Sequence, residues 1–194
     1  MRRLTNTNNK NPRNFWSVSA ALHHAAEKGH FEMFKLFLEK SAELDVNPLC
    51  EKRWTTFHLA AKNGHLDVCR LKNKNPASKL GMTPLNLATM NGHFDICKLI
   101  IANAWNQNPE NFCRDTPLHL AAENGHLNTV KLLIGNVKEK MPLNARGLTP
   151  LHVAAENTHR EICLFLLESN LEDLDFLQSV KNWKGFLQNC TKFH

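Results

Sequence analysis

The chain's 194 residues include eleven histidines and six cysteines. Imidazole and thiolate are the side chains that most often ligate metals or act as base and nucleophile. Their spacing here does not support that chemistry. No Cys-x-x-Cys pair occurs, so neither a zinc ribbon nor a disulfide framework is expected. The adjacent His23 and His24 point to different faces of a helix and do not chelate. Cys113, beside Arg114, is the only mild candidate for a reactive thiol, but no local His or acid frames it as a nucleophile. There is no GxGxxG, P-loop, G-x-S-x-G or HExxH motif, and no acid pair is spaced for general acid–base work. The sequence therefore predicts no catalytic residue, no metal site, no cofactor and no small-molecule substrate.

Nine of the histidines instead fall at repeated positions. Four strings align: TTFHLAAKNGH from Thr55, TPLNLATMNGH from Thr83, TPLHLAAENGH from Thr116 and TPLHVAAENTH from Thr149. A fifth, AALHHAAEKGH from Ala20, lacks the Thr-Pro start. Successive starts lie 35, 28, 33 and 33 residues apart. This places His23, His58, His119 and His152 at one position, with Asn86 in the third copy. It places His30, His65, His93, His126 and His159 at another.

Each part of the string has a physical reading. Thr83, Thr116 and Thr149 are N-caps whose hydroxyl accepts from an early helical N–H. Pro84, Pro117 and Pro150 sit at the first helical position, where no N–H is needed. The paired alanines allow close packing of neighbours. Gly29, Gly64, Gly92 and Gly125 end the helix in the left-handed region; Thr158 takes that place in the last copy, where a β-branched residue is strained. A second helix follows, with Leu127, Val130, Leu132 and Leu133 in one copy and Phe94, Ile96, Cys97, Leu99 and Ile100 in another. Cys69, Cys97 and Cys163 share a register with Val130 and read as small core residues. The regular Asn63, Asn91, Asn124 and Asn157 read as helix-end caps.

These strings resemble the ankyrin-repeat family, whose unit is about 33 residues with a T-P-L-H-x-A pattern. The resemblance covers residues 10–171. It implies an all-α fold, an ankyrin-type α-solenoid of helix–turn–helix repeats with β-hairpin finger loops. It also implies that the T-P-L-H histidines tie neighbouring loops by hydrogen bonds.

Proline marks the same punctuation. Pro48, Pro76, Pro109 and Pro142 each follow a residue eight before the motif start, and an X-Pro step favours the extended backbone of a finger. Pro12 lies one residue out of that register, which extends the finger reading to the N-terminal stretch. The organisation expected is a basic segment with a partial finger over 1–19, a repeat array over 20–171 with starts near 20, 55, 83, 116 and 149, and a non-repeat segment over 172–194. In the last segment Phe176, Leu177, Val180, Trp183 and Leu187 have the spacing of an amphipathic capping helix, against which Gly185 weighs. Alternatively, the chain stops inside a further repeat and exposes Trp183 and Phe186. The 28-residue spacing removes five residues from the second repeat, which predicts a short helix near residues 67–72. It also predicts a packing defect between the second and third repeats.

Hydrophobic residues make up 42% and charged residues 22%, enough apolar content for a folded core. The net charge of +6 is uneven. Residues 1–14 carry +4, residues 178–194 carry +3, and the body carries −1. A nucleic-acid binder concentrates charge on its folded face, so basic tails make that a minor reading. No apolar run approaches the ~20 residues of a membrane helix, and residues 1–14 have no secretory h-region. The expected location is the cytoplasm, with the nucleus as the alternative.

In the family the fingers and the ends of the first helices line a concave binding face. Carried over by register, that face takes Lys62, Met90, Glu123 and Glu156 on helices, and Trp54, Met82, Phe112, Asp115, Arg146 and Leu148 on fingers. Trp54, Met82, Phe112 and Leu148 are either interface anchors or packing on the adjacent finger. Arg53 and Arg114 replace the glycines that Gly81 and Gly147 represent, which adds strain and positive charge suited to an acidic partner. The leading function is a non-catalytic protein-interaction scaffold. The alternatives are a part of a larger ankyrin-repeat scaffold, channel or ubiquitin-ligase adaptor, and a binder of nucleic acid or acidic surfaces through the tails.

Overall fold

A computed structural model of the chain describes residues 12–40, 54–71, 77–103 and 106–169. The expectations placed on Pro48, Pro76, Arg53, Cys50, Cys190 and the capping helix lie outside these residues.

The motif starts set where the first helix of each repeat begins. Where Thr opens the string, its backbone is extended and the helix starts one residue later: α3 (Thr56–Asn63), α5 (Pro84–Met90), α7 (Pro117–Glu123) and α9 (Pro150–Glu156). The first repeat has no Thr-Pro at Ala20, so nothing stops the helix from running upstream. α1 spans Pro12–Lys28, seventeen residues, and Pro12 opens a helix instead of a finger. This corrects the finger reading for residues 12–19. Proline at a helix start is favoured because its missing N–H has no intrahelical partner there.

Each first helix turns back through the Gly-His step. His30, His65, His93, His126 and His159 donate their N–H to the carbonyls of Ala25, Ala60, Ala88, Ala121 and Ala154 at 2.9–3.0 Å. This is the six-to-one closure of a helix C-terminus, which needs a left-handed residue between. Gly64 has φ 82° and Thr158 has φ 60°. Second helices follow: α2 (Phe31–Lys40), α4 (Leu66–Leu71), α6 (Phe94–Asn103), α8 (Leu127–Ile134) and α10 (Arg160–Glu168). α4 has six residues against eight to ten in its counterparts. It buries Val68 and Cys69 and leaves Leu71 exposed.

The helices form two layers. α1, α3, α5, α7 and α9 pack in sequence; α2, α4, α6, α8 and α10 pack in sequence behind them. One continuous core lies between, from Leu22 and Phe34 through Ala60, Leu85, Ile100, Leu118 and Leu133 to Ile162 and Leu166. The paired alanines, among them Ala25, Ala26, Ala60, Ala61, Ala121 and Ala122, are at most 2% exposed, so the close approach expected of them is used. Among the described residues there is no strand. The fingers are hairpin-shaped turns, not strand ladders.

Candidate interaction surface

Three fingers are described, and each is tied by the residue five before its Thr. Asn111 Oδ1 accepts from the N–H groups of Cys113 and Asp115, both at 2.9 Å. Asn144 Oδ1 accepts from those of Arg146 and Leu148 at 2.9 and 3.0 Å. Ser78 Oγ accepts from Leu80 N–H at 3.3 Å. Short polar side chains that bond their own loop are what hold such turns. The role of Ser78, Asn111 and Asn144 was missed in the sequence, although their shared register was visible. At the next turn position Gly81, Arg114 and Gly147 have φ 72°, 58° and 72°, so Arg114 does sit in a glycine's conformation. Successive fingers join through Phe112 N–H to Leu80 O at 3.3 Å and Ala145 N–H to Cys113 O at 2.8 Å.

Histidines join the repeats in two further rows. In the T-P-L-H row, Nδ1 of His58, His119 and His152 accepts from the N–H of its own N-cap Thr at 3.1–3.2 Å. That bond leaves Nε2 as the protonated nitrogen. His58 Nε2 donates to Met82 O at 3.1 Å and His119 Nε2 to Leu148 O at 2.9 Å. Asn86 likewise joins its own cap to the next finger with an amide, but at a different carbonyl, that of the residue seven before the next Thr instead of one before it. Its Oδ1 accepts from Thr83 N–H at 2.9 Å and its Nδ2 donates to Pro109 O at 3.1 Å. The second row was not foreseen. Nε2 of His65, His93, His126 and His159 lies 2.8–3.2 Å from the carbonyls of Glu27, Lys62, Met90 and Glu123 in the preceding repeat. The Gly-His adjacency in the strings was its signal.

This frame displays the variable residues. Met90 is 43% and Phe112 74% exposed. Lys62 and Glu123 are exposed at the ends of α3 and α7. Lys62 Nζ lies 5.2 Å over the Trp54 ring, and that ring stacks parallel to His58. Trp54, Met82 and Leu148 are half-buried, and Trp54 O, like those of Met82 and Leu148, faces a histidine. Asp115 receives Asn111 Nδ2 at 3.3 Å and Asn144 Nδ2 at 2.8 Å, so it bridges two fingers. Arg146 grips both oxygens of Glu156 at 3.0 Å. Arg114 lies 3.5 Å from Glu110. The positive charge expected from Arg114 is therefore balanced locally by Glu110, and Arg53 lies outside the described residues. Asn63, Asn91, Asn124 and Asn157 each bond the carbonyl four residues back at 2.8–2.9 Å, as helix-end residues do.

Burial decides the state of the titratable groups within the frame. Desolvation pushes the Cys69 and Cys97 thiols up to about 12, so neither forms a thiolate at neutral pH. Desolvation also holds His119 and His152 below the ordinary imidazole value. Charged neighbours pull the other way, Asp115 and Glu110 for His119 and Glu156 for His152, and are outweighed. Among the described residues no three of His, Cys, Asp and Glu converge to hold a metal ion. No helix among them is long and apolar enough to cross a membrane.

Five helix–turn–helix units stacked in two layers, joined by fingers and Gly-His turns, define a repeat solenoid. The family model described as ankyrin repeats (3 copies) matches residues 2–75, 22–111, 71–141 and 102–176, and the chain belongs to that family. A search of curated proteins found no match.

Proposed function

We propose that the protein is a non-catalytic binding module that presents its concave face to another protein. The observation that carries this reading is the exposure of Met90 and Phe112 on a frame whose finger turns are held by Asn111 and Asn144. Large apolar side chains held rigid and exposed are the usual anchors of an interface. Lys62, Glu123 and the Arg146–Glu156 pair supply polar contacts around them, with Trp54, Met82, Asp115 and Leu148 shaping the surface between. The thiols of Cys69 and Cys97 are free, which suits a reducing compartment such as the cytoplasm.

The test is capture of partners from a lysate by the wild-type chain and by Met90→Ala/Phe112→Ala, matched for melting temperature. A partner kept by the first and lost by the second supports the concave face. A partner captured equally by both overturns it and moves the function elsewhere on the molecule.

A further inference from the structure

The first repeat lacks a cover that the other four have. In those four, the ring at the start of the second helix reaches back to the preceding repeat: His65, His93, His126 and His159 meet the carbonyls of Glu27, Lys62, Met90 and Glu123. His30 holds the same position. Among the described residues no repeat precedes it, so its ring has no such carbonyl to meet. It stands exposed, with 6.4 Å between its centroid and that of the exposed His24.

One helical turn on, the same side of each second helix carries Met33, Val68, Ile96, Thr129 or Ile162. The last four are 1–2% exposed, and Met33 is 52% exposed. A further turn on, Phe37 is half-buried where Ile100, Leu133 and Leu166 are at most 1% exposed. An open hollow of about 590 Å³ lies against His30, Phe31, Glu32 and Met33. A repeat that closes an array carries a polar outer face. This one keeps the apolar residues of an inner repeat.

We propose that this end of the molecule receives the last turn of another ankyrin-type array, stacked as the repeats of this chain stack on one another. The complement is present four times inside the molecule, so the interface is a continuation of an established one. It is a first helix that offers a carbonyl two residues before a left-handed glycine, with the glycine bare beneath the ring. A Cβ at Gly64, Gly92 or Gly125 would stand 2.6–2.8 Å from the ring of His93, His126 or His159. His30 seats on such a turn, and Met33 and Phe37 pack on the partner's second helix. A second copy of this chain does not supply the turn, because its last described one holds Thr158, with φ 60° and a Cβ in place. α1 runs through the residues that a finger would use, so the docking rests on the ring and the apolar side chains.

Binding of a designed array to the full chain tests this. The probe is a consensus ankyrin array, capped by a polar repeat at its N-terminal end, whose last turn is Asn-Gly. The control array has Asn-Thr there, as this chain has at Thr158. Measured by fluorescence anisotropy, the chain should bind the Asn-Gly array, and the Asn-Thr array about tenfold or more weakly. Met33→Lys and His30→Ala should each weaken binding of the Asn-Gly array by a similar factor. Both side chains are exposed, so urea unfolding matched to the wild type controls for folding. Met90→Ala/Phe112→Ala should bind unchanged, which separates this end from the concave face. No binding of either array, equal binding of both, binding indifferent to Met33→Lys and His30→Ala, or binding lost with Met90→Ala/Phe112→Ala overturns the proposal. Self-association of the chain that Met33→Lys abolishes also overturns it and assigns the end to a second copy.

Discussion

The imidazole of His126 lies on Gly92, so that a Cβ at Gly92 would stand 2.6 Å from the ring. Gly92 is thus fixed twice, by its φ of 73° and by the ring above it. Gly147 has the same φ, 72°, and nothing within 4 Å of its Cβ direction. Alanine at Gly147 should cost about 1 kcal/mol of backbone strain. Alanine at Gly92 should cost about 3 kcal/mol, since the ring must also move. Urea unfolding of the two variants measures the difference, and equal losses would show that the ring contact carries no weight.

The converse change should stabilise. Thr158 and Arg114 hold φ 60° and 58°, a region unfavourable for side chains with a Cβ. Thr158→Gly and Arg114→Gly should each gain about 1 kcal/mol. Loss of the exposed Arg114–Glu110 pair offsets little of this. Thermal melts check both.

Thr56 stands where three other motif copies have proline, fully buried, with its hydroxyl lacking a hydrogen-bond partner among the described residues. Thr56→Pro removes that unsatisfied group and presets the helical φ. A gain of about 1 kcal/mol in urea unfolding is expected; a loss would show that the α3 backbone at Thr56 does not match proline.

Acid should loosen the T-P-L-H row. His119 and His152 are held below the ordinary imidazole value by burial, so the unfolded chain binds more protons than the folded one once pH falls below about 6.5. Their contribution is complete above that pH and is lost as pH falls toward the folded-state values. The melting temperature should therefore drop between about pH 7 and pH 5. His119→Asn should reduce that drop, because Asn86 already shows that an amide can cap its Thr and bond the next finger without a titratable group. An unchanged pH profile in the variant would remove His119 from the cause.

The thiols should separate by burial. Cys113 is exposed, whereas Cys69 and Cys97 are buried. Peptide mapping after maleimide treatment of the folded protein should find Cys113 modified and the other two intact until denaturant is added. Early labelling of Cys97 would reveal local opening of α6.

The motif strings made the helices legible because Thr, Pro, Gly and the alanine pair each act within a few residues of themselves. The missing five residues announced the short α4 in the same way. What the strings did not disclose depends on neighbours. Ala20 without Thr-Pro says that a cap is lost, but not that the helix runs back to Pro12. Arg114 reads as free charge until Glu110 comes beside it. The second histidine row needed the knowledge that His126 reaches across to Met90 O, a residue 36 positions earlier. Register fixes where a candidate surface residue stands, as at Phe112 and Leu148, while exposure separates them only in three dimensions.

The short α4 shows how little of a second helix the stack needs. With six residues it still packs against α2 on one side and α6 on the other, and it buries Val68 and Cys69. The outer layer therefore runs from α2 to α10 across the shortened repeat, and a unit can shed residues from its second helix without losing touch with its neighbours.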